Sequence, residues 1–169
     1  MKWFVEIAVC LSALGAAAFD SAEWLGQREM LTREAERLRV AYSNCVANLT
    51  APADDVTVPI ETFEDGSVKA IVHAKRAQYF HDHGLVWGED VVLKRFKEDG
   101  TLDGRIDAKS CVVDRFSKSG WAEGPAKVEH GKTVCRGKGV YVSSPEAYVK
   151  VFEDTEIVSQ DLKFGGVRP

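Results

Sequence analysis

Between residues 72 and 158, apolar side chains recur at every second position in runs separated by turn residues, the pattern of half-buried β-strands. Three of these runs share one internal spacing: Val72 and Ala74 then Ala77 and Tyr79, Ile106 and Ala108 then Cys111 and Val113, Val134 and Arg136 then Gly139 and Tyr141. In each, two positions of one parity are followed by a shift of one and two more positions. A strand repeats every two residues, so such a shift turns the face over unless a bulge absorbs it. The spacing therefore predicts a bulge at one place in all three runs. Each run leads through a turn into a second strand, at 86–92, 122–128 and 151–157, where an apolar residue falls four positions after a reference residue: 88 to 92, 124 to 128, 153 to 157. Self-similarity of this kind predicts stacked β-units that bury a face only against a neighbour. Any antiparallel sheet shows some of it, so an ordinary sheet is the competing reading.

Turn signals fall at Asp65-Gly66, His81-Asp82-His83-Gly84, Glu98-Asp99-Gly100, Ser117-Lys118-Ser119-Gly120, His130-Gly131 and Ser143-Ser144-Pro145. Strands spaced near ten residues with such turns predict an all-β sandwich, roll or solenoid. Residues 50–55 read as a linker, residues 56–60 as a leading edge strand in which Pro59 is tolerated, and residues 162–164 as a closing strand.

Upstream the period changes. Trp24, Leu31, Leu38 and Cys45 recur every seven residues, with Ala35, Tyr42 and Leu49 four later, so residues 20–49 read as one helix with a narrow apolar seam. Asp20 and Glu23 stand at capping-box spacing. The seam serves equally for a coiled coil that makes a homo-oligomer or meets a membrane partner, and for packing on the protein's own sheet. Before the helix, Lys2 precedes an apolar run over residues 3–19, broken by Glu6. It reads either as an uncleaved single-pass anchor at the short limit for crossing a bilayer, or as a signal peptide cut after Ala18 in Ala16-Ala17-Ala18. Both export the rest of the chain.

A net charge of -4 and a pI near 5.6 exclude general nucleic-acid binding, which needs a basic face. The four cysteines, Cys10, Cys45, Cys111 and Cys135, show no metal-type spacing. Cys111 and Cys135 fall on predicted strands, but the repeat places them out of register for a disulfide. The pair His81 and His83 with Asp82 lacks a third local ligand and sits in a turn, so no metal is expected there. Nucleophile elbows, phosphate loops, dinucleotide fingerprints and zinc-protease motifs do not occur, and the carboxylates are scattered through turns, so neither catalysis nor a cofactor is expected. Trp87 and Trp121 offer planes for stacking sugars, although aromatic residues on strands are more often core or rim.

Three features of residues 56–164 carry a family resemblance. They are the recurring segments Ala74–Tyr79 and Ala108–Val113, the strands Val86–Val92 and Ala122–Val128, and the run Gly137-Lys138-Gly139-Val140-Tyr141-Val142. In order and number, behind an apolar N-terminal segment, they resemble the LptC-type/OstA-like periplasmic lipopolysaccharide-transport bridge proteins. The resemblance implies a mainly β fold, an open β-jelly-roll shaped like a folded taco shell, whose apolar interior holds acyl chains. It implies a periplasmic domain on a single N-terminal anchor, working with an inner-membrane transporter and with other bridge-type β-domains through edge strands. It implies no enzymatic activity. The long helix over residues 21–49 is a departure from the family pattern.

The repeat aims Val72, Tyr79, Val86, Val92, Ile106, Val113, Val128, Val134, Tyr141, Val151 and Ile157 inward, and the resemblance makes them candidates for contact with lipid. A filled sandwich core is the plain alternative. Lys75, Lys109 and Lys127 stand as partners for anionic head groups or, more simply, as solvated strand residues. The expected organisation is an anchor or signal over residues 1–19, a helix over 20–49, a linker over 50–55 and a β-domain over 56–169. Two functions compete: a lipopolysaccharide carrier, and an anchored envelope scaffold that oligomerises through residues 21–49.

Overall fold

The structure, a computed structural model, describes residues 21–145 and 148–159, without the side chains of residues 21–25. The apolar run over residues 3–19 with its candidate cleavage site, Cys10, the capping pair Asp20 and Glu23, and the strand expected at 162–164 lie outside that description. Among the described residues no helix is long and apolar enough to cross a membrane.

Helix α1 (Ser21–Ala47) is followed by seven strands: β1 (Ala53–Thr62), β2 (Val68–Phe80), β3 (Leu85–Phe96), β4 (Leu102–Asp114), β5 (Ser119–His130), β6 (Thr133–Ser143) and β7 (Tyr148–Ser159). They form one sheet in chain order, each antiparallel to its neighbours in sequence. The first strand begins at Ala53, inside the stretch expected as linker. The predicted turns fall at strand junctions, and two share one device. Asp65 Oδ1 accepts from the backbone N–H and hydroxyl of Ser67 at 2.9 and 2.6 Å, and Asp99 Oδ1 accepts from Thr101 at 2.9 and 2.6 Å. Gly66 and Gly100, at φ 83° and 78°, supply the left-handed residue each turn needs.

The sheet is rolled but open. In a flat sheet β6 would lie about 24 Å from β1, five spacings of roughly 4.8 Å. Yet Ser144, in the turn after β6, donates its hydroxyl to Glu61 Oε1 of β1 at 3.2 Å. The contact joins opposite corners of the sheet, because Glu61 lies towards the β1–β2 turn and Ser144 at the far end of β6. The edge strands β1 and β7 do not pair with each other.

A crease crosses the sheet, and from β4 to β7 the register slips along it. Asp55 of β1, Asp90 of β3 and Asp154 of β7 adopt left-handed backbone with φ 55°, 48° and 51°, and Gly124 of β5 stands at φ 77°. On the intervening strands Lys75 and Lys109 lie opposite this line, between the paired rows on either side. The change of phase that the repeat predicts falls at the expected place in two runs, between Ala74 and Ala77 and between Ala108 and Cys111, with a register shift only in the second, and one residue later than expected in the third, between Gly137 and Val140. It keeps apolar residues on one face above and below the crease: Ala74 and Ala77 of β2, Ala108 and Cys111 of β4.

The other face carries α1. Leu31, Ala35, Leu38 and Cys45 are buried against Leu85, Trp87, Val112, Trp121 and Tyr141, with Tyr42 and Leu49 packed beside them. From Leu31 onwards the heptad seam is thus spent on the chain's own sheet, while the Trp24 side chain lies outside the described residues. Arg37 Nη2 donates to Glu34 Oε1 and Asp114 Oδ2, both at 2.6 Å, and Tyr42 donates its hydroxyl to Ser110 at 2.9 Å, fixing the helix across the middle strands.

Candidate functional site: an apolar face across seven strands

Residues paired directly across an antiparallel ladder share a face, so the registers spell out the surface opposite the helix row by row. Below the crease runs Val58, Val72, Leu93, Ile106, Val128, Cys135 and Ile157, one residue from each strand. Beside it lies Val56, Ala74, Val91, Ala108, Ala126 and Gly137. Above the crease come Ala53, Ala77, Gly88, Cys111, Ala122, Val140 and Val151, then Tyr79, Val86, Val113, Gly120, Val142 and Val149. Four rows cross the sheet without one charged side chain.

This inner face is tight in its middle and open at its rim. Ala74, Val140 and Val151 are buried, whereas Val72, Ile106 and Ile157 are half-buried and Val58 keeps 46% of its surface exposed. Small residues line the row nearest the crease. A Cβ on Gly137 would sit 2.2 Å from Val151 Cγ1 on the neighbouring strand β7, so only a glycine fits there. Burial raises the thiol pKa of Cys135, and pushes that of Cys111 up to about 12. Neither is a thiolate at neutral pH, so neither is poised as a nucleophile.

Of the residues aimed inward from sequence, Val72, Tyr79, Val86, Ile106, Val113, Val128, Val151 and Ile157 stand on this face. Val92, Val134 and Tyr141 stand on the opposite one. Val92 fails because β3 crosses the crease with two residues between inward positions Gly88 and Val91, where β5 uses three between Ala122 and Ala126. A spacing of four therefore suits β5 and overshoots in β3. Val134 and Tyr141 fail because the third run was read one residue out of phase. Cys135, Gly137, Val140 and Val142 face inward, while Val134 pairs with Glu129 and Val158, and Tyr141 lies under α1. Sequence reading also missed Leu93 and the Ala-rich second row; the signal was the alternation around Val91 once Asp90 is taken as the bulge.

The other candidates resolve as follows. Cys45, Cys111 and Cys135 are buried free thiols, and Cys111 and Cys135 belong to different rows on strands that are not neighbours. His81, Asp82 and His83 form a single 3-10 turn in which the His81 ring meets Tyr79 edge-on at 4.2 Å. Among the described residues no group of three His, Cys, Asp or Glu side chains is placed to hold a metal ion. Trp87 and Trp121 are buried beneath the helix and present no plane to a sugar. Lys75 and Lys109 are exposed at the crease; Lys109 pairs with Asp90, and Lys127 with Glu129. No protein-family model matches the chain, and no curated protein matches it significantly.

Proposed function

We propose that this protein is a non-enzymatic lipid-binding protein of the cell envelope, working in lipopolysaccharide transport as its β-region's resemblance implies. In this reading the rolled sheet serves as the open jelly-roll of that family. Acyl chains lie along the inner face, head groups remain at the open rim, and lipid passes to a partner β-domain aligned at β1 or β7. The domain faces the periplasm, tethered through residues 1–19 beside an inner-membrane transporter.

The observation that carries the reading is the unbroken apolar surface of four strand rows, with a rim left half-buried. An acyl chain gains about 0.8 kcal/mol for each methylene removed from water, so a trough several strands wide supports a lipid with several chains. The edges support the second half of the reading. Each of β1 and β7 pairs on one side only, and most of β1 is exposed, so unpaired backbone groups stand ready for strand addition. The scaffold alternative needs the helix seam for assembly, and from Leu31 to Cys45 that seam is buried against the sheet.

Photo-crosslinking in the envelope of the source cell tests the proposal. Photoreactive residues replace Ile106 and Val128 on the inner face, with Val92 and Lys97 as outward controls. Lipopolysaccharide adducts at the first two positions alone are expected. Absence of adducts at both, with the variants exported and folded, overturns the reading and leaves the inner face a closed core.

A further inference from the structure

Above the crease, on the face that carries α1, one row crosses six strands: Gln78, Trp87, Val112, Trp121, Tyr141 and Lys150. The helix lies along this row, across the strands rather than parallel to them. Just past its C-terminal end, the N–H groups of Thr50 and Ala51 donate to Gln78 Oε1 of β2 at 3.0 and 3.2 Å. Towards its other end, Thr32 Oγ1 accepts from Lys150 Nζ of β7 at 3.1 Å. Between them Arg37 reaches Asp114 on one flank of the row, and Tyr42 reaches Ser110 on the other. The lengths agree. Five strand spacings from β2 to β7 make about 24 Å, and residues 32–47 of a helix rise about 22 Å.

The helix thus reaches β7 with its first turns still ahead of it. Leu31 is buried, but Gln27, four residues earlier on the same side of the helix, is exposed, as are Gly26, Glu29 and Met30. The sheet has ended beneath them. Residues 21–31 rise about 16 Å, so the start of α1 overhangs the free edge of β7. Only Asp20 separates it from the apolar run over residues 3–19, and no proline occurs before Pro52.

We propose that α1 is a stalk that presents the sheet edge-on to the membrane, with β7 as the near edge and β1 as the far one. The inference rests on the reading of residues 1–19 as the tether. A chain that passed from its tether straight into its first strand would put β1 nearest the membrane. Here the helix crosses the sheet from β7 to β2 before β1 begins, and so reverses that order. Its seam grips Trp87, Val112, Trp121 and Tyr141, one from each of four strands, which keeps the stalk from pivoting on the sheet. Lipid coming from the membrane then meets the sheet at β7 and leaves it at β1, and the partner β-domain further out pairs with β1.

Energy transfer in reconstituted vesicles tests the orientation. The full chain carries one fluorescent amino acid, at exposed Glu153 of β7 or at exposed Asp54 of β1. The vesicles are phosphatidylethanolamine and phosphatidylglycerol, with rhodamine-labelled lipid as acceptor in both leaflets. Transfer at least twofold greater from position 153 than from position 54 is expected. A flexible Gly-Ser linker inserted between Asp20 and Ser21 should abolish the difference. Equal transfer from the two positions, or greater transfer from position 54, overturns the proposal. So does a difference that survives the linker, since α1 would not then be its cause, and so does a chain that fails to float with the vesicles. The lipid-carrier reading stands or falls separately, because adducts at Ile106 and Val128 do not depend on which edge is near the membrane.

Discussion

Gly137 is where the inner face is least forgiving. An added methyl would stand 2.2 Å from Val151 Cγ1 and 2.8 Å from the Glu153 carbonyl oxygen, both on the neighbouring strand. Gly137→Ala should cost about 1–3 kcal/mol, the usual penalty of overpacking. Gly26 is the opposite case, an exposed glycine within the helix with nothing near its missing Cβ. Gly26→Ala should gain about 0.5–1 kcal/mol, because the glycine carries only a conformational cost there. Urea midpoints measured side by side check both signs. At this scale the sequence is partly readable. Period two identifies which residues alternate, and the recurring shift of one identifies the bulge. What it leaves open is how many residues each strand spends crossing that bulge. That number differs between β3 and β5, and it decides the fate of Val92. Phase was lost in β6 because Val134 and Tyr141 are as apolar as Cys135, Val140 and Val142, so pattern alone does not rank the two faces.

The helix is the element whose docking is most open to measurement. Leu38 is fully buried, and Leu38→Ala should lower stability by about 2–5 kcal/mol through the cavity it leaves. The polar side of the same contact responds to acid. The side-chain hydrogen bond from Arg37 holds the Glu34 carboxyl below its ordinary range. Burial alone would raise the pKa of Asp114, but Arg37 and the backbone N–H groups of Phe116 and Ser117 outweigh it and hold that carboxyl low as well. Carboxylates depressed in the folded state contribute stability above their unfolded pKa, near 4, and lose it as pH falls through the folded one. Thermal melts should therefore drop from pH 7 towards pH 3. Asp114→Asn should flatten that drop while lowering the melt at pH 7. The seam at Leu31, Ala35, Leu38 and Cys45 was legible as a helix face from its spacing. Its destination was not, because a stripe of this width fits a second helix as well as a sheet, and only the aromatic row beneath it decides.

At the scale of the whole molecule, one curved sheet supports two different surfaces. Its centre and edges should differ in mobility. Strands β3 to β5 are paired on both sides and covered by the helix, whereas β1 is mostly exposed and paired only to β2. Hydrogen exchange should release the β1 amides first and the β4 amides last, with protection rising towards the global unfolding free energy. Equal protection across the seven strands would mean that the corner contact between Glu61 and Ser144 locks the roll as firmly as the ladders do. The broad architecture, strands of near-regular length joined by tight turns with one helix ahead of them, was readable from turn residues and periodicity. The choice among sandwich, roll and solenoid was not, because the curvature goes with a line of left-handed residues and a hydrogen bond between positions 83 residues apart.

Every strand here pairs only with the strands before and after it in the chain. A sheet assembled by that rule has no built-in terminus. A further hairpin could be appended beyond β7, or a pair of strands removed, with every other ladder left as it is. The length of the surface is then set by gene length alone, and a longer reach between two distant sites would need no new fold.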